Sequence, residues 1–309
     1  MKILVTGGAG YIGSVLVELL LLSGYDVTVV DNFFYGQSSL NHLFHFPKLT
    51  VIDSDVRDVG RYQADLYAVD AVVPLAAIVG APACKKDPVT AETVNCNSVL
   101  ELLERLSPSQ LLVMPTSNSA YGTGDSDNLC DECSELRPIS TYAIQKVSIE
   151  QSVMSRENSI SLRLATVFGM SPRMRLDLLV NDFVYRAIND GFLVLYESHF
   201  VRNYIHVRDV CRGIIMGLDG GLQPGEIYNL GLSEANLSKL QLAELVGNFV
   251  ENLAIIEQPF YKDPDQRNYI VSNKKIERAG FSPSVSIEDG IAELIRGLPS
   301  LKNRIYGNI

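Results

Sequence analysis

The sequence predicts an α/β fold, a doubly wound parallel sheet with a smaller lobe interleaved in its C-terminal part. Three observations carry that expectation. Short apolar runs alternate with amphipathic stretches of helical length from Lys2 to Phe168. The first run breaks into a glycine turn, "TGGAGYIG". The second, "YDVTVVD", closes on an acid, Asp31. Strand and helix in alternation require crossover connections, and therefore parallel strands with helices on both faces.

The elements follow in order. Ile3 to Val5 form a strand, and Gly7, Gly8, Gly10 and Gly13 a turn. Ser14 to Leu22 form a helix that Gly24 is placed to end. "LTVIDSDVRD" is a third strand running into Asp55 and Val56, and "AVVPLAAIVGAP" a fourth. Ala91 to Leu106 make a long helix carrying Asn95. "LLVMPTSNSAYG" is the fifth strand, emerging at Ser117; Tyr142 to Arg156 are the next helix, and "ISLRLATVFG" the sixth strand. After Gly169 the rhythm changes to a loop and helix, a strand and helix at "RNYIHVRDVCRGIIMGLDG", a third helix and a Pro/Asp-rich stretch, "QPFYKDPDQRNY". Residues 1–168 with about 203–232 are expected to form the cofactor-binding domain, and about 169–202 with 233–309 the smaller lobe.

Composition bounds the function. The 309 residues are 47% hydrophobic and 20% charged, with net charge −10 and pI about 4.9. That balance argues against a nucleic-acid binder, which needs a basic face. Five cysteines do not make a disulfide framework, and Cys130 and Cys133 form a lone CxxC with no second pair to complete a metal site. "VLVELLLL" is too short to cross a bilayer. A soluble, cytoplasmic protein with no membrane partner and no metal is expected.

The glycine turn, the helix after it and the acid at the end of the second strand are what dinucleotide binding requires. Glycines let the backbone approach a pyrophosphate, and the helix N-terminus offers unpaired N–H groups and a positive dipole end. An acid about 20 residues on bonds the ribose hydroxyls. Asp31 would repel a 2′-phosphate, so NAD is expected as the cofactor. Asp31, Asp55, Ala76 and Ser117 all fall at carboxyl ends of strands, where such sheets bind ligands.

With these motifs the chain resembles the extended short-chain dehydrogenase/reductase superfamily, and within it the NAD-dependent nucleotide-sugar epimerases and dehydratases, along nearly its whole length. The resemblance implies a Rossmann-type fold and a set of cofactor contacts: Gly7, Gly10, Tyr11, Ile12, Gly13, Asp31 and Asn32, then Asp55 and Val56 at the adenine. Leu75, Ala76 and Ala77 would lie against the cofactor, where small residues let the backbone pass close, with Asn95 nearby. It implies a catalytic set of Ser117 with Tyr142 and Lys146, the family's YxxxK. A tyrosine is a poor base at neutral pH; an ammonium four residues on favours the phenolate. Arg202 would pair with the substrate diphosphate and Arg267, or Lys262, would supply a second cation. Asn118, Ser119, Thr166 and Asn181 would line the sugar pocket. Helices 91–107 and 141–157 correspond to those that form a dimer in related enzymes, so a homodimer is expected.

The substrate implied is a nucleoside-diphosphate sugar oxidised at C4. Dehydratases of this kind place Asp-Glu directly after the catalytic hydroxyl; here Asn118 and Ser119 stand there. Dehydration and decarboxylation are therefore disfavoured. An epimerase of surface-polysaccharide biosynthesis is expected first, and a 4-dehydrogenase similar to the bacterial GDP-heptose enzymes second. A non-catalytic NAD-binding regulator would have lost the Ser/Tyr/Lys set, which is complete here. His206 is expected to be a packed histidine.

Overall fold

The computed structural model describes residues 1–123, 129–258 and 268–301. The first half runs β1 (Lys2–Thr6), α1 (Tyr11–Leu22), β2 (Asp26–Asp31), β3 (Leu49–Asp53), α2 (Gln63–Ala68), β4 (Ala71–Pro74), α3 (Ala81–Lys86), α4 (Pro88–Glu92), α5 (Ser98–Arg105) and β5 (Leu111–Ser117). There follow β6 (Leu129–Cys130), α6 (Thr141–Met154), β7 (Ser159–Leu164), β8 (Thr166–Phe168), α7 (Leu179–Asn189), β9 (Phe192–Leu195), β10 (Val201–His206) and α8 (Val207–Leu218). The chain continues through β11 (Glu226–Leu230), β12 (Asn236–Ser238), α9 (Lys239–Gly247), β13 (Ala254–Glu257), β14 (Ile270–Val271), α10 (Lys274–Arg278) and α11 (Ile287–Gly297).

Among the described residues seven strands form one parallel sheet in the order β11-β7-β5-β4-β1-β2-β3. The strand order reverses between β1 and β4, which is where doubly wound sheets open a crevice. This is the Rossmann-type arrangement expected from the sequence. Its strands are apolar on both faces because helices cover both. Ile3 and Val5 join the layer under α1 and α8, while Leu4 joins the layer with Leu66, Leu102 and Ile149. Each such fully buried aliphatic contributes about 1.5–3 kcal/mol.

The sixth predicted strand is two. β7 lies in the main sheet, but after Ala165 the chain changes partners, and β8 pairs with β10 in a small sheet completed by β12. Residues 201–206 therefore lie outside the main sheet, and it is β11 that returns to it. The helix expected over 91–106 carries a π-turn at Thr93–Asn97 between α4 and α5.

α11 seals the small lobe through Glu293. Its carboxylate accepts the Met170 amide at 3.0 Å and bonds from His206 Nε2 and Arg208. His206 is fully buried; its Nδ1 accepts the Arg208 amide, which leaves Nε2 to donate. It is a packed histidine, as expected. Burial alone would raise the Glu293 carboxyl, but the bonds from His206 and Arg208 hold it down at about 2. A folded value below the unfolded one adds stability that is full above about pH 4.5 and lost as the pH falls toward 2. Glu293→Gln should lower the melting temperature at pH 7 by a few degrees (about 1.5–3 kcal/mol for the charged hydrogen bonds). Melts taken from pH 7 to 3 should show the gap to wild type closing; a gap constant with pH would refute this.

Candidate active site

The carboxyl ends of β1 to β4 open onto a cleft of about 140 Å³. Gly7 and Gly10 line it from the turn, and Asp31 and Asn32 from the end of β2. Asp55 and Val56 line it after β3; Leu75, Ala76 and Ala77 do so after β4. All nine are residues singled out in the sequence.

The turn is built backbone against backbone. Gly7 has φ +69°, and a Cβ there would lie 2.5 Å from the Ala76 nitrogen. At Gly13 a Cβ would lie 2.3 Å from the Gly7 carbonyl oxygen. Only glycine permits this approach, which draws α1 close to β1. The first-turn amides of Tyr11, Ile12 and Gly13 have no helical acceptor, and no acid in that turn offsets the positive dipole end. The Tyr11 hydroxyl donates to the Gly169 carbonyl at 2.8 Å, and burial pushes its phenol up. Its side chain ties α1 to the small lobe.

Asp31 accepts the Ala9 amide at 2.9 Å and the Phe33 amide at 2.8 Å. Burial pushes its carboxyl up against the pull of these two bonds. Asp55 takes a two-pronged bond from Arg57, with Nε and Nη2 each at 2.8 Å. The Arg57 hydrogen bonds hold its carboxyl below the usual carboxylate range.

The second cluster forms where α6 packs on β5. Ser140 caps α6 by accepting the Ala143 amide at 3.2 Å, which places Tyr142 in the first turn, half-buried. Lys146 is buried one turn on, its Nζ 5.9 Å from the centre of the Tyr142 ring and 3.5 Å from the Pro115 carbonyl of β5. Burial pulls its ammonium down to about 8. Ser117 ends β5, its Oγ accepting the Ser119 amide at 3.1 Å and the Ser119 hydroxyl at 2.9 Å. Behind them Arg163 and Glu150 form a buried ion pair at 2.6 Å, and Glu150 also accepts from Thr116 and Ser161. That network welds α6 to β5 and β7.

Asn95 and Asn181 spend their side-chain amides on the protein itself. Asn95 does not line the cleft: its amide brackets Ile78 through the backbone nitrogen (2.8 Å) and carbonyl (2.9 Å) and donates to Gln145 at 2.9 Å. It positions Ile78, which does line the cleft. Asn181, expected at the substrate, is wholly enclosed. Its amide accepts from the Gly169 nitrogen and donates to Tyr11 Oη and the Arg175 carbonyl, so it is a strut of the small lobe. Asn118 and Ser119 are buried at the end of β5, and both amide atoms of Asn118 lack a protein partner. Thr166 begins β8 beside Tyr204 of β10, and neither hydroxyl has a protein partner. Arg202 lies buried two residues before Tyr204 on β10. Arg267 and Lys262 fall outside the described residues. Among the described residues no group of acidic, histidine or cysteine side chains could hold a metal, and no helix is long and apolar enough to cross a membrane.

The profile of the NAD dependent epimerase/dehydratase family matches residues 3–231. The chain belongs to that family. The match runs from β1 just past β11, so it spans the whole main sheet of this epimerase/dehydratase-family protein. It is 29% identical to UDP-glucuronic acid decarboxylase 1 of Arabidopsis thaliana, over 99% of this chain and 71% of the relative. It is 24% identical to a putative UDP-glucose 4-epimerase of Methanocaldococcus jannaschii, over 95% and 97%. Among solved structures, the Thermus thermophilus UDP-glucose 4-epimerase complex with NAD superposes with TM-score 0.83 at 27% identity, over 97% and 99% of the two chains. The Streptomyces venezuelae dTDP-glucose 4,6-dehydratase with NAD gives TM-score 0.83 at 28% identity, over 96% of each.

NAD is the cofactor of this family, and the cleft fits it: a turn only glycine can make, helix-terminal amides without helical acceptors, and Asp31 on the cleft wall at the end of β2. Among the residues that line the cleft of this family member but were not singled out in the sequence are Tyr35, Gln37 and Arg57. The stretches "NFFYGQ" after Asp31 and "DVRD" after β3 were the signal, since each continues directly from a recognised contact.

Proposed function

We propose that this chain is a nucleotide-sugar epimerase of surface-polysaccharide biosynthesis, oxidising C4 of a nucleoside-diphosphate sugar and returning the hydride to the opposite face. NAD supplies the hydride acceptor. Tyr142 takes the C4 hydroxyl proton, the Lys146 ammonium favours its phenolate, and Ser117 orients the hydroxyl and shares the developing charge. Returning the proton from Tyr142 to the alkoxide completes the cycle. Arg202 and Arg267 would hold the diphosphate while the sugar turns, because guanidinium–phosphate pairing is directional.

The two residues directly after Ser117 carry this reading. An amide, Asn118, and a hydroxyl, Ser119, stand where elimination would need an acid and a base. A decarboxylase is the second reading, supported by the 29% identity to the plant enzyme. C4 oxidation of a uronic acid makes a β-keto acid, which loses carbon dioxide readily. A 4-dehydrogenase that releases the keto sugar is the third.

Purified protein incubated with UDP-, GDP-, CDP- and dTDP-sugars, including uronic acids, separates them. The epimer with no net NADH is the expected product. Carbon dioxide marks a decarboxylase, and stoichiometric NADH with a ketone marks a dehydrogenase. No turnover of any sugar by NAD-loaded protein would defeat all three.

A further inference from the structure

We propose that Tyr35 and Arg173 form a strap that closes the small lobe over the Asp31 end of the cofactor cleft and slows the release of NAD(H). It rests on the cleft as the NAD site and is independent of which sugar is turned over.

The loop after Asp31 is pinned at both ends to the glycine turn. Asp31 holds Ala9 through the amide, and Ser39 Oγ donates to the Ala9 carbonyl at 2.7 Å. Between these anchors the chain turns through two left-handed residues, Phe33 at φ +49° and Gly36 at φ +60°. That puts Tyr35 and Gln37 on the wall of the cleft. The Tyr35 amide donates to Gln37 Oε1 at 3.1 Å, and Gln37 Nε2 reaches Asp31 Oδ1 at 3.5 Å.

The middle of this loop is held from the other lobe. Arg173 lies in the segment between β8 and α7, only 5% exposed. Its guanidinium sits 4.2 Å over the Tyr35 ring. Nη1 donates to the Met174 carbonyl at 2.7 Å, which fixes the plane of the stack. A cation over an aromatic face out of bulk water is a strong local contact. Tyr35 stands on the cleft wall at its Asp31 end, so a dinucleotide seated there would rest beside a ring that Arg173 holds in place. Retained NADH is what an enzyme needs when it returns the hydride to the molecule that gave it.

The test is the release rate of NADH. Protein loaded with NADH is mixed with excess NAD⁺, and the decay of NADH fluorescence is followed. Tyr35→Ala and Arg173→Gln should each speed release about tenfold, equivalent to about 1.4 kcal/mol. Tyr35→Phe keeps the ring and should stay within about twofold of wild type. The double variant should be no faster than either single one, because both remove one contact. Should Arg173→Gln fail to fold, Arg173→Lys, which gives up the flat stacking surface, takes its place with the same expected direction. Wild-type rates in either single variant, or additive acceleration in the double, would overturn the strap. Protein that holds no NADH would overturn the cleft and the strap together; protein that holds NADH but turns over no sugar overturns the proposed reaction alone.

Discussion

Tyr142→Phe is expected to lower kcat by about 10²–10⁴-fold, the usual worth of a positioned acid–base group, while NAD affinity changes little. The phenyl ring keeps the packing of the first turn of α6 and loses only the proton carrier. Lys146→Met should fall in the same range and should weaken NAD binding as well, if its ammonium reaches the nicotinamide ribose. Because burial pulls that ammonium down to about 8, the wild-type rate should drop as the pH rises through that value. Stopped assays with the sugar identified by the panel, across pH 6 to 10, give all three numbers. A Tyr142→Phe enzyme with wild-type turnover would remove the phenol from the chemistry.

Gly13→Ala is expected to abolish useful NAD binding, with affinity down about 100-fold or about 2.7 kcal/mol. The added methyl would meet the Gly7 carbonyl at 2.3 Å and the Gly8 Cα at 2.7 Å. Both are backbone, so the helix must move away from the turn, and its N-terminal amides leave the pyrophosphate position with it. Overpacking of this kind costs about 1–3 kcal/mol in stability as well. Gly24→Ala is the control: its φ of +85° is strained for alanine, but the methyl meets nothing within 4 Å. It should lower stability and leave NAD affinity intact. Calorimetric titration with NAD and thermal melts on both variants decide it; equal affinity in Gly13→Ala and wild type would contradict the turn's role.

The cofactor half of the site was legible because its physics is local. Gly7, Gly13 and Asp31 lie within one strand–helix–strand unit, and the steric and dipolar demands of a dinucleotide act on adjacent residues. Lys146 was legible from its helical spacing to Tyr142. What escaped depended on distant partners. Asn95 brackets a backbone 17 residues earlier and meets Gln145, 50 residues later. Asn181 reaches Tyr11 across 170 residues. An asparagine in a helix pattern looks the same whether its amide meets a ligand or a carbonyl. The split at Ala165 escaped for a related reason: apolar runs show that a segment is a buried strand, not which strand it bonds. Tyr35 and Arg173 are ordinary residues apart, and only the fold stacks them.

The Asn95 bracket bears on motion during turnover. One amide joins Ile78, on the cofactor wall, to Gln145, the neighbour of Lys146. The amide thereby ties the cleft wall at Ile78 to the helix that carries Tyr142 and Lys146. In the epimerisation proposed above, that brace leaves the sugar as the part to turn, a rotor before a fixed stator.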